Sequence, residues 1–166
     1  MEQMLPKRKH PRLNNYDYSS VGAYFVTICT HNRQCILSRV GRGLAPAEME
    51  YTPYGEIAKK ELLGLKDRFP ILEIEHFVIM PNHIHALMFL KNAAAGASPR
   101  PTLMDIVCTY KSLTTRSCKQ VGFEGKLFQT SFYEYIVRDR KDYDDIAKYI
   151  YENPVRWEFD ELYPGK

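Results

Sequence analysis

Apolar and polar positions fall in blocks whose period changes several times along the chain. Ala23-Tyr24-Phe25-Val26-Thr27-Ile28-Cys29-Thr30 is an unbroken run of apolar, aromatic and β-branched residues. Such a run predicts a central strand covered on both faces, and His31-Asn32-Arg33 ends it. Gly41, Gly43, Pro46 and Pro53 punctuate residues 36 to 53, where a small hairpin or loop excursion is expected. From Tyr54 the spacing shifts. Tyr54, Ile57, Ala58, Leu62, Leu65 and Phe69 recur as one face of a helix, Lys59, Lys60, Glu61 and Lys66 take its outer face, and Pro70 closes it. Two apolar runs, 72–80 and 83–90, flank Pro81-Asn82 and predict an antiparallel hairpin. Thr102 and Asp105 have capping-box spacing. Leu103, Ile106, Val107, Tyr110, Leu113 and Thr114 line one side of the helix that follows, and Gly122 and Gly125 end it. Residues 127–137 predict a fourth long strand, and 139–153 a last helix stopped by Pro154.

Strand, helix, strand, strand, helix, strand, helix is the order of a ferredoxin-like βαββαβ unit with an extra C-terminal helix. The expected fold class is α+β, an RRM-like antiparallel sheet with helices on one face and the other face free for a ligand. A length of 166 residues suits one domain. Residues 1–20 read as a basic arm, 21–157 as the folded body and 158–166 as a short tail. No apolar run reaches transmembrane length, and the N-terminus lacks an apolar h-region. Cys29, Cys35, Cys108 and Cys118 form no C-x-x-C pair, so a reduced, cytoplasmic chain is expected.

A net charge of +3 does not by itself announce a polyanionic partner. Its distribution changes the picture. Lys7, Arg8, Lys9 and Arg12 crowd the arm, Lys111, Arg116 and Lys119 fall in one predicted helix, and Arg138 and Arg140 form a third cluster. Such patches suit phosphate contacts, and they equally suit solvated surface.

The strongest chemical signal is His83-Ile84-His85. On a strand, alternate side chains share a face, so both imidazoles would stand side by side with Ile84 turned to the core. Two imidazoles at that spacing can ligate one divalent metal ion, and they can also be two histidines that ligate nothing. On the last helix, Ile146, Tyr149, Ile150 and Asn153 share a face, whereas Tyr151 points about 200° away from Tyr149. Tyr149 reads either as a core aromatic or as a nucleophile activated beside a cation. Asn153, before Pro154, reads as a helix cap or as an oxygen ligand to the same metal. No Walker A, Rossmann, H-E-x-x-H or nucleophile-elbow pattern is present.

Three blocks in order carry a resemblance that covers nearly the whole chain: Tyr16-Asp17-Tyr18-Ser19 with Gly22 to Thr30, Met80-Pro81-Asn82-His83-Ile84-His85, and Phe132 to Asp139 with Tyr149-Ile150-Tyr151-Glu152-Asn153-Pro154-Val155. The chain resembles the single-tyrosine HUH transposases of bacterial insertion sequences and, among them, the REP-associated tyrosine transposases. The resemblance implies a ferredoxin-like fold and a metal, Mg2+ or Mn2+, held by His83, His85 and Asn153. It implies Tyr149 as nucleophile, with Tyr151 as its rival. It further implies cleavage and strand transfer on single-stranded or hairpin DNA through a 5′-phosphotyrosine, in a bacterial cytoplasm at the nucleoid. Family members act as monomers or as homodimers that exchange the tyrosine helix. Two other readings share the same residues: a single-strand-binding module without catalysis, and a replication initiator or relaxase.

Overall fold

The fold is organised on strand β1, Gly22–Cys29, where Tyr24, Val26 and Ile28 alternate with Phe25, Thr27 and Cys29 on opposite faces. The structure, a computed structural model, describes residues 12–41, 48–96 and 99–165. After β1 come β2 (Ser38–Val40), β3 (Met49–Tyr51), α1 (Pro53–Arg68), β4 (Leu72–Ile79), β5 (His83–Leu90), α2 (Leu103–Gln120), β6 (Tyr133–Ile136) and α3 (Arg140–Glu152). The main sheet runs β4-β5-β1-β6, and every neighbouring pair is antiparallel. That is the strand arrangement of the ferredoxin-like unit expected above, and β2 and β3 form the small hairpin.

Local chemistry sets the helix starts. Thr52 caps α1 by accepting from Gly55 N at 3.1 Å, with Pro53 at the first helical position. Gly55 admits no side chain, because a Cβ there would lie 1.9 Å from the Leu37 carbonyl oxygen. Thr102 and Asp105 close the capping box of α2, and Asp139 caps α3 by accepting from Asp142 N.

Two apolar layers result. One sheet face packs Val26, Ile28, Ile84 and Met88 against Ala58, Leu62 and Leu65 of α1 and Ile106, Val107 and Tyr110 of α2. On the other face, Phe25, Val78, Met80 and Leu87 meet Ile146 and Ile150 of α3 and the chain's only tryptophan, Trp157. Burial of each such side chain contributes about 1.5–3 kcal/mol. The second face is therefore partly roofed by α3 rather than wholly open.

The long strand expected over 127–137 is short. Only Tyr133–Ile136 joins the ladder, preceded by a single bridge between Thr30 and Phe128. The Lys111 ammonium donates to the carbonyls of Gln129 and Thr130, while Gln129 N stays bonded to the Cys29 carbonyl. The segment therefore runs beside the end of β1, held by isolated bonds outside the regular ladder. Residues 12–20, expected as an arm, also contribute to the body: Tyr18 is 7% exposed and Leu103 N donates to its carbonyl.

Candidate active site

Strand alternation turns Ile84 and Ala86 into the helix-packed core and His83 and His85 to the opposite face, beside Cys29 and Thr27 of β1. The histidine rings lie 4.5 Å apart between centroids. Both are almost fully buried. Asn82 sets the state of His83. Its Nδ2 donates to the carbonyls of Leu162 (2.7 Å) and Arg33 (3.3 Å), which leaves Oδ1 to accept from His83 Nδ1 at 2.8 Å. His83 Nδ1 therefore carries the proton and Nε2 keeps a free lone pair. Thr27 Oγ1 lies 2.8 Å from His85 Nδ1 and can hold that ring in the same way. These partners act on the ring nitrogens turned away from the site, as the outer partners of metal-binding histidines do.

Ile146 and Ile150 seat α3 on the sheet, and that seating aims one turn of the helix at the histidines. The Tyr149 ring lies 5.3 Å from that of His85 and 6.0 Å, edge-on, from Phe25. Tyr151 is 79% exposed on the outer side. Asn153 is 2% exposed and ends the helix.

Asp160 was not singled out from the sequence. A 3-10 turn at Trp157–Phe159 carries the segment read as a tail back over the site. There Asp160 accepts from Asn153 Nδ2 at 3.1 Å and from Leu162 N at 2.7 Å. Ligand atoms of His83, His85 and Asp160 all lie within 4.8 Å of one another. His83 Nε2, His85 Nε2 and Asn153 Oδ1 are buried with no hydrogen-bond partner among the described residues. Unpartnered buried acceptors are costly. Two imidazole nitrogens, an amide oxygen and a carboxylate form a donor set able to hold a divalent cation.

Burial lowers the His83 pKa to about 4, with Asp160 acting in opposition, and holds His85 well below the usual histidine value. Both rings are thus neutral at pH 7, the ligating form. Burial, seconded by Asp160, pushes the Tyr149 hydroxyl up to about 12, while the Asn153 amide opposes that rise. Without a cation the phenol rests protonated.

Among the described residues, those expected to contact DNA do not form one surface. Lys7, Arg8 and Lys9 lie outside the described residues. Arg12 pairs with Glu134 and covers the Phe132 ring at 3.8 Å. Lys111 is engaged by the 129–130 carbonyls. Arg116 and Lys119 are exposed on α2. Arg138 and Arg140 follow β6 at the other end of the sheet from His83, and Arg140 pairs with Asp144 at 3.0 Å.

A Haemophilus influenzae protein described as uncharacterized is 31% identical over 94% of this chain and 93% of its own length. The Escherichia coli REP-associated tyrosine transposase is 24% identical over 84% of this chain and 70% of its own. A solved REP-associated tyrosine transposase, bound to a REP hairpin, superposes with a TM-score of 0.63 at 21% identity, covering 95% of this chain and 77% of that one. The chain belongs to the REP-associated tyrosine transposase family. No family model matches it. As a REP-associated tyrosine transposase by family, it has bacterial transposases for relatives and a DNA-processing role in outline. Among the described residues, no helix is long and apolar enough to cross a membrane.

Proposed function

We propose that this protein cleaves and rejoins single-stranded DNA beside a hairpin, using Tyr149 as nucleophile. One observation carries the reading: Tyr149 stands against two buried histidines whose Nε2 atoms have no partner in the fold. His83, His85, Asp160 and Asn153 are the residues that would hold Mg2+ or Mn2+. When bound, such a cation polarises the phosphate and offsets charge in the transition state. Tyr149 Oη forms a bond to phosphorus as the P–O3′ bond breaks. The phenol proton leaves Tyr149, and the departing 3′ oxygen ends as a hydroxyl. The product is a 5′-phosphotyrosine and a free 3′-OH. In the reverse sense, a 3′-OH attacks the phosphotyrosine, a phosphodiester re-forms, and Tyr149 regains its proton. Asn153 links the parts of the site, since its Nδ2 donates to Asp160 while its Oδ1 is left for the cation.

The hairpin as substrate rests on the solved relative's complex with a REP hairpin. The test uses 3′-labelled hairpin DNA with Mg2+ or Mn2+. A labelled, SDS-stable protein–DNA adduct is expected, absent with EDTA. Tight binding with no adduct would instead mark a binding module.

A further inference from the structure

The segment after β1 wraps the corner that precedes the histidines. Thr30 N and Thr30 Oγ1 both donate to the Asn82 carbonyl, at 2.9 and 3.0 Å, and Leu37 N donates to the Pro81 carbonyl at 3.0 Å. The Asn82 side chain returns the contact: Nδ2 donates to the Arg33 carbonyl, while Oδ1 accepts from His83 Nδ1. Arg33 thus sits on a loop fastened, before and after it, to the two residues that lead into His83. Its backbone and that of Asn32 are left-handed, with φ of 53° at both. Asparagine tolerates that region because its short side chain bonds locally, whereas arginine has no such compensation and glycine would relieve the strain. A long cationic side chain kept in that conformation points to a use for the side chain.

Arg33 is exposed and has no ion-pair partner among the described residues. The cations of α3 and of the turn beyond it are placed otherwise, since Arg140, Lys141, Lys148 and Arg156 each pair with a carboxylate four residues away. Burial governs the charge state of His83 and of Cys29, yet the Arg33 charge reaches both, opposing protonation of the imidazole and favouring the thiolate. A guanidinium without a counter-charge therefore stands at the His83 end of the site, and Tyr149 stands at the His85 end. The groups turned to the cation position, His83 Nε2, His85 Nε2, Asn153 Oδ1 and the Asp160 carboxylate, are all acceptors. They offer no donor to a phosphate oxygen. Resting on the strand-transfer reading above, we propose that Arg33 is a catalytic residue that grips the scissile phosphate while Tyr149 attacks it.

As the bond from Tyr149 Oη to phosphorus forms and the P–O3′ bond breaks, negative charge builds on the two non-bridging oxygens. The planar fork of Arg33 donates N–H groups to them, stays protonated throughout and exchanges no proton with the reacting atoms. The same grip holds the 5′-phosphotyrosine when a 3′-hydroxyl returns to it.

The test follows the single-turnover rate of adduct formation by the full chain with Mn2+ on 3′-labelled hairpin DNA. The bond that wild type cleaves carries either its phosphate or an uncharged methylphosphonate. Arg33→Gln is expected to slow the reaction on the phosphate by about 100-fold, with hairpin affinity in EDTA little changed. On the methylphosphonate, where one charged oxygen is gone, the gap between wild type and variant is expected to shrink below about tenfold. Arg33→Gly, which suits the left-handed backbone, is expected to melt no lower than wild type and still to lose as much rate as Arg33→Gln. A purely structural role for the loop would give neither result. A near-wild-type rate for Arg33→Gln, a loss matched by lost hairpin affinity, or a loss that persists in full on the methylphosphonate overturns the grip. If wild type itself forms no adduct, the strand-transfer reading falls and the grip with it. If wild type and Arg33→Gln form it equally fast, the grip alone falls.

Discussion

The sheet carries two buried polar clusters, and they are built differently. In one, the Glu134 carboxylate receives Tyr18 Oη at 2.7 Å and the Arg12 guanidinium, which also donates to the Phe132 carbonyl. Both carboxylate oxygens find a donor inside the fold. In the other, His83, His85 and Asn153 keep their outer nitrogens occupied and leave three acceptors without partners. A protein interior tolerates the first arrangement as structure. The second leaves acceptors that a cation or water could take. The contrast separates a latch, which ties residues 12–18 to β6, from a site that waits for a ligand.

The comparison breaks most visibly at Tyr149. Tyr149→Phe is expected to abolish the covalent adduct with little change in thermal stability, because its ring is 39% exposed. Tyr151→Phe should leave the adduct yield within about twofold, as expected for a ring outside the site. The latch should respond in the opposite way. Glu134→Ala is expected to lower unfolding stability by about 3 kcal/mol, because it strands Arg12 and Tyr18. Denaturant titration measures this. His85→Leu, which removes the unpartnered Nε2 and the single Thr27 contact at similar volume, should abolish the adduct and shift stability by only about 1 kcal/mol. If the two variants cost the same stability, the distinction between the clusters fails.

Smaller effects sharpen it. His83 titrates near 4 in the fold against a usual value of 6.5. The unfolded chain therefore binds more protons between those values, and metal-free stability falls as pH drops from 6.5 towards 4. The size is a few kcal/mol at most, and urea melts in EDTA should show it in wild type and less in His83→Asn. Trp157, the chain's only tryptophan, lies 5.8 Å from His83. Saturating Mn2+ should quench its emission, and Asp160→Asn should weaken that quenching titration. A binding constant unmoved by Asp160→Asn would remove Asp160 from the donor set.

Much of the fold was legible because its signals were local. The alternation of β1, the three-to-four spacing of α1 and α2, and the Thr102–Asp105 box each act within a few residues. The histidine pair was legible for the same reason, as strand period alone puts His83 and His85 on one face. What escaped depends on contacts far apart in the chain. Lys111 reaches 18 residues onward to bind the Gln129 carbonyl. Arg12 finds Glu134 across 122 residues, so its charge says nothing of its partner. Asp160 lay in an acidic stretch that reads as solvated tail, and only the turn at Trp157–Phe159 returns it to Asn153.

The central claim is that the buried histidine cluster serves Tyr149 as a nucleophile. The most direct measurement is fragmentation mass spectrometry of the adduct after tryptic digestion. Cleavage after Lys148 and Arg156 leaves Tyr149 and Tyr151 in one peptide, and fragment ions distinguish them. The account predicts a nucleotide phosphate on Tyr149. A phosphate on Tyr151, or on any residue outside α3, would contradict it.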